Sequence, residues 1–188
     1  LHPSIPPSLV LRARRVCAHP QVHFGKFMNG HITGEFYFDI HPPIVKIMMA
    51  WMVQAMCPWY NGEQPFRDIG EEYLPDSPVK AMRLLPALAS TLQVPVTYLT
   101  CRELGATWWA STIAGAMCCF DNLLCTEGRV LTTDTCLIFF IACSLYFHVR
   151  TENSALFSWA WYGNVLGTGI SLGLTMCTKW IGLNALGM

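Results

Sequence analysis

The chain has 188 residues, 53% of them hydrophobic and only 13% charged, where a soluble domain carries about a quarter charged. Twelve basic and twelve acidic residues cancel and the pI is about 7.1, so no whole-chain field recruits nucleic acid. With a mean hydropathy of +0.35, the composition names lipid as the solvent. The nine cysteines form no C-x-x-C pair and sit largely within apolar runs, which reads as inert buried thiols and not as a disulfide or zinc framework. "LHPSIPPSLVLRARR" carries its basic residues after its short apolar patch, the reverse of a signal peptide.

In chain order, a polar segment holding "VHFGKF" and "EFYFDIHPPIVK" leads into an apolar run at 44–57. That run is too short to span a bilayer comfortably, and Pro43 suits a helix first turn, so an interfacial or juxtamembrane helix is expected over 43–57. Trp51, Trp59 and Tyr60 fit the headgroup level. An acidic, turn-rich loop follows, "NGEQPFRDIGEEYLPDSP".

From Ala81 the apolar runs lengthen. Stretches 81–100, 104–126, 130–149 and 156–178 carry few or no charges away from their ends. Each has about 20 residues, and at ~1.5 Å per residue such a helix crosses the ~30 Å hydrocarbon layer. None shows the polar face that a soluble helix needs. The expectation is an all-α polytopic membrane protein with four spans.

Alternating spans sort the connections onto two sides. One side collects everything before Arg83, the Asp121–Asp134 connection and Lys179, and the other only "CRELG" and "HVRTENSA". Ten of the twelve Lys and Arg residues fall on the crowded side, which a positive-inside count would make cytoplasmic. Seven acids in the first 80 residues share that side, so charge alone leaves orientation open.

Ionisable groups at membrane depth are costly and are functional-site candidates. Arg83 opens a span after the loop, where a planar bidentate cation suits a phosphate; a snorkelling helix-end arginine is the ordinary reading. Lys46 adds a second point charge, or pairs with headgroups. Asp121, Arg129 and Asp134 flank one short connection, where a structural ion pair competes with chemistry. His23, His31 and His41 lack the tight helical spacing of a zinc site. Two classes fit these residues: an enzyme acting on a lipid-linked phosphate donor, or a transport protein. Charges at span ends on one side, and not at the midplane, favour the enzyme.

"VHFGKF" (22–27) and "FYFDIHPPIVK" (36–46) resemble the first luminal loop of the dolichyl-phosphate-mannose–protein mannosyltransferases. "IGEEY", "MRLLPAL", "VPVTYL" with "RELG", "DNLLCTEGRVLTTD" and "TKWIGL" resemble later family blocks in the same order. The resemblance runs from Val22 onward and leaves 1–21 as an atypical segment, 22–80 as a luminal loop and 81–188 as membrane helices. It implies a GT-C-type glycosyltransferase bundle, present in part, in the endoplasmic-reticulum membrane. Such enzymes move mannose from dolichyl phosphate mannose to Ser or Thr of secretory proteins, need no metal or other cofactor, and commonly work as dimers of family members. The crowded side becomes luminal, against the positive-inside count.

By the same resemblance Arg83 falls on the family's functional arginine and would steady the leaving phosphate. Lys46, His41, Asp39 and His23 become donor-site candidates, and Asp121, Arg129, Asp134 and Lys179 charges at the site's edge. The family's acidic pair, whose aspartate would take the acceptor's proton, is Pro20-Gln21 in this sequence. The resemblance therefore implies an N-terminal piece, inactive by itself. The alternative is a catalytically dead partner subunit.

Overall fold

The computed structural model describes residues 24–64 and 73–187, and among them it contains helices and no strands. Helix α1 covers residues 24–33. It is followed by α2 (Ile44–Met56), α3 (Val79–Glu103), α4 (Trp108–Cys119), α5 (Asn122–Glu127), α6 (Asp134–Glu152) and α7 (Trp159–Met176), and the described chain closes in a 3₁₀ segment, Trp180–Gly187.

Helix α3 is the spine, packing against α2, α4 and α6, while α7 lies on α6. Its 25 residues make it, among the described residues, the one helix long and apolar enough to cross a membrane. Pro86 and Pro95 sit inside it without ending it. Thr91 and Thr97 return hydroxyls to the carbonyls of Ala87 and Gln93 at 2.8 and 2.9 Å, the kind of local hydrogen bond that supports a proline-containing membrane helix.

The run 104–126 is not one helix. Gly105 adopts φ +84°, and Thr107 then caps α4 by accepting from the Ala110 N–H at 3.3 Å. Asp121 breaks the run again, its carboxylate accepting from the Leu124 N–H at 2.8 Å as the N-cap of α5. A charge that looked like a span-end site residue is thus the start signal of a new helix. The run 130–149 also starts late. Leu131, Thr132 and Thr133 are buried in an irregular turn, where the Thr132 hydroxyl donates to Glu127 at 3.1 Å, and α6 begins only at Asp134.

The two ends of the bundle differ. At one end α3 and α6 finish together: Asn153 donates to the Glu103 carbonyl at 2.7 Å and Arg150 pairs with the Glu103 carboxylate at 3.6 Å. Trp108 and Trp109, stacked at 3.7 Å, and the exposed Trp159 ring this end. The other end carries α1, α2, the Asp134 terminus of α6 and the 3₁₀ segment, with exposed Trp51, Trp59 and Trp180. Aromatic belts at both rims of an apolar bundle are the pattern of a membrane protein.

Helix α2 buries one stripe, Val45, Lys46, Met49, Ala50 and Val53, at helical spacing. Its apolar members join Met28 of α1 and Ala81, Met82 and Ala89 of α3 in the main core. Beside it the 58–64 turn and the 73–78 approach to α3 are tied by buried polar groups. Asn29 donates to the carbonyls of Gly62 and Gln64 at 3.2 and 2.7 Å and accepts from the Tyr60 hydroxyl at 3.2 Å. The Gln64 side-chain oxygen accepts from the Leu74 N–H at 2.7 Å and the Ser77 hydroxyl at 2.8 Å. All eight described cysteines are free, yet only Cys136 is buried; Cys119, Cys125 and Cys177 lie on the outside, because the apolar runs holding them face outward from this bundle.

Gln64→Ala would leave the Leu74 amide and Ser77 hydroxyl without their acceptor, at about 1–3 kcal/mol for a buried group. Amide hydrogen exchange on the detergent-solubilised protein should show Leu74 exchanging faster by one to two orders of magnitude while mid-α3 amides stay protected.

Candidate functional site

The short segment between α1 and α2 gathers the functional groups, because Pro42-Pro43 ends the extended chain and starts α2 within two residues. Lys46, one turn in, has a side chain 0% exposed and pairs with Asp39. Its ammonium also donates to the His41 carbonyl at 3.3 Å and lies 5.0 Å from the centre of the Phe27 ring and 6.0 Å from that of Phe24. Asp39 is held in turn, accepting from the His41 N–H at 3.1 Å through its other oxygen. Lys46 is therefore a buried, compensated cation, not a lysine pairing with headgroups.

Lys179 approaches the same place from the chain's far end. It pairs with Asp134 and sits 5.7 Å from the centre of the Phe24 ring, so both lysines border one aromatic ring. Two further contacts lock this end onto the loop: the Trp180 indole donates to the Ile40 carbonyl at 2.8 Å, and the Ile44 N–H to the Cys177 carbonyl at 3.4 Å. Burial, then the Lys179 charge, pull the Lys46 ammonium down to about 8, and the contact with Asp39 works in the opposite sense.

Arg83, near the start of α3, donates to the Tyr73 hydroxyl at 3.3 Å and lies over the Tyr73 ring at 5.4 Å. It stands at the same end of the bundle as the lysines, since α3 begins beside α2. Tyr73 holds the guanidinium, a role that its place in "IGEEY" does not reveal.

The other candidates separate. Asp134 has its ion pair with Lys179, whereas Arg129 is exposed and Asp121 is a cap. The structural pair expected within the 121–134 connection thus forms instead across 45 residues. His23, Pro20 and Gln21 lie outside the described residues. His31, together with Tyr37 from within "FYFDIHPPIVK", lines a groove of about 490 Å³ with Glu35, Phe36, Asp39 and His41. The Tyr37 hydroxyl contacts His31 Nε2, and the ring stacks on Phe27 at 4.8 Å over Gly30, where a Cβ would lie 2.6 Å from it. Burial and then the Lys46 charge lower His31, while burial raises Tyr37, so near neutral pH the phenol donates and the imidazole accepts. Among the described residues the buried Nδ1 of His41 has no hydrogen-bond partner.

An all-helical bundle with cations gathered at one rim has the character of a membrane glycosyltransferase of the GT-C type. The profile of the dolichyl-phosphate-mannose-protein mannosyltransferase family matches residues 12–188, ten residues beyond the motifs that begin at Val22. The chain belongs to that family. It is 35% identical over 165 residues to dolichyl-phosphate-mannose–protein mannosyltransferase 4 of Schizosaccharomyces pombe, covering 86% of this chain and 21% of that protein. Protein O-mannosyltransferase 1 of Drosophila melanogaster is 30% identical over 168 residues, covering 89% of this chain and 19% of the relative. The Saccharomyces cerevisiae protein O-mannosyltransferase Pmt1–Pmt2 complex bound to the sugar donor superposes with a TM-score of 0.84 at 27% identity, covering 100% of this chain and 27% of that one. The chain thus spans about a fifth of the length of the curated relatives it matches.

The environment of Lys46 makes its charge pH-sensitive in an ordinary working range. A ¹⁵N NMR titration of the lysine side chains should show Lys46 deprotonating with a midpoint near 8, its cation present below and lost above. Asp39→Asn should lower that midpoint further. A midpoint above 10 would contradict the burial described.

Proposed function

We propose that the whole protein transfers mannose from dolichyl phosphate mannose to Ser and Thr hydroxyls of secretory polypeptides, as a multi-pass protein of the endoplasmic-reticulum membrane paired with a family member. The observation carrying this is the convergence of Arg83, Lys46 and Lys179 at one end of the bundle. In the reaction the acceptor oxygen bonds to the anomeric carbon as the bond to the phosphate oxygen breaks, and the hydroxyl proton leaves to a base. Negative charge grows on the departing phosphate. Fixed cations in a partly dry site are suited to that moment, and a guanidinium held by Tyr73 needs little reorganisation to meet it.

Asp39 is ill placed to act as that base, because Lys46 and the His41 N–H already engage its carboxylate. Pro20 and Gln21 at the family's acidic positions favour a second reading, a donor-holding partner subunit that does not turn over.

Microsomes carrying the full-length protein, given dolichyl phosphate mannose and a Ser/Thr peptide, distinguish the two. O-mannosyl peptide supports the enzyme, and donor binding without product supports the subunit. In an active preparation Arg83→Ala should lower kcat/KM for transfer by about 10²–10³-fold, with Arg83→Lys recovering part of it. Unchanged transfer in Arg83→Ala would remove the arginine from the site.

A further inference from the structure

The break between α4 and α5 brings two thiols together. Cys119 is the last residue of α4, and Cys125 lies in the six-residue α5. Both are exposed. The Cys125 thiol donates to the Cys119 carbonyl at 3.3 Å, so its sulfur already rests on the main chain of the other cysteine. Neighbouring cysteines are engaged elsewhere: Cys118 accepts from the Thr97 hydroxyl of α3 at 3.8 Å, and Cys136 is buried in the core. Helix α5 itself buries no residue. It is held by the Asp121 cap, by the Ser90 hydroxyl donating to the Leu124 carbonyl at 3.0 Å, and by Thr132 donating to Glu127.

We propose that Cys119 and Cys125 form a disulfide that fastens α5 to the end of α4. The inference rests on the mannosyl-transfer reading in one respect, that the end of the bundle shared with Asp134 and Lys179 faces an oxidising lumen. Asp121 and Glu127 flank the pair, which puts both thiols at a wet rim where thiol–disulfide exchange can reach them. A disulfide requires Cβ atoms about 3.5–4.5 Å apart. With one sulfur against the partner's carbonyl, side-chain rotation and a small shift of a helix that buries nothing achieve this. In the reaction one thiolate attacks a disulfide of glutathione or of a luminal oxidoreductase, and the second thiolate displaces that partner. One S–S bond forms here while the incoming disulfide is reduced to two thiols, which take up the two protons. The bond fixes the start of the turn that leads to Arg129 and to Asp134, the partner of Lys179.

The test uses the full-length protein in sealed microsomes, its free thiols blocked with N-ethylmaleimide before any reductant is added. Trypsin and a protease cutting before Asp121 then leave Cys119 and Cys125 on separate peptides, 103–120 and 121–129. Mass spectrometry should find the two joined, at the sum of their masses less two hydrogens. The link should persist in Cys118→Ser and be lost in Cys119→Ser and in Cys125→Ser. Maleimide on both cysteines, or either one joined to a different cysteine, would overturn the proposal. A membrane-impermeant maleimide, applied after reduction with dithiothreitol, separates two ways of failing. Labelling of Cys125 in unopened microsomes would put the thiols in the cytosol, and the luminal reading would fall together with the disulfide. Labelling only in opened microsomes, with both thiols free in the unreduced protein, would remove the disulfide alone.

Discussion

A lysine with no exposed side chain has to be compensated where it sits, and the loop end of this protein is arranged around that requirement. Asp39 supplies the counter-charge, the His41 carbonyl a further acceptor and Phe27 a ring face. Removing one partner from such a pair leaves the other charge stranded, so the contact fixes the path of the chain from Asp39 to Lys46 more firmly than proline geometry would alone. The groove and the seat of Trp180 both follow from that path.

Lys179 gives the cluster its long-range character. It comes from the end of the chain, where α7 gives way to the 3₁₀ segment, and it faces Asp134 at the start of α6 and the Phe24 ring of α1. A cation arriving from so far along the sequence makes the site a property of the closed bundle and not of its loop. It also lowers Lys46, so the two lysines are electrically coupled. Two ammonium groups border one ring, each paired with its own aspartate, at the end of the bundle where an arginine is held by a tyrosine.

Much of this was legible in the residues. The helical character of the apolar runs and the short helix after Pro43 follow from run length and from where the prolines fall. Motif order identified the family, and pointed to Arg83, Lys46 and Lys179. Reading 104–126 as continuous failed because hydropathy averages over Asp121, while the backbone uses that residue as an N-cap. The same connection misled a second time: closeness in sequence suggested a pairing with Arg129, but in space Asp134 meets Lys179. Tyr37 and Tyr73 lie inside motifs that give them no role, and His31 fits no zinc spacing; the significance of all three lies in what they touch.

By itself the sequence determined that the apolar runs are helical in character and which family the chain belongs to, because long uncharged runs are those of helices in hydrocarbon and because rare words in fixed order are specific. Tertiary structure alone decided which charges compensate one another. Ion pairing depends on distance through space, and the contacts Lys46–Asp39 and Lys179–Asp134 join elements whose approach is set by the packing of α1, α2, α6 and the chain's last turn.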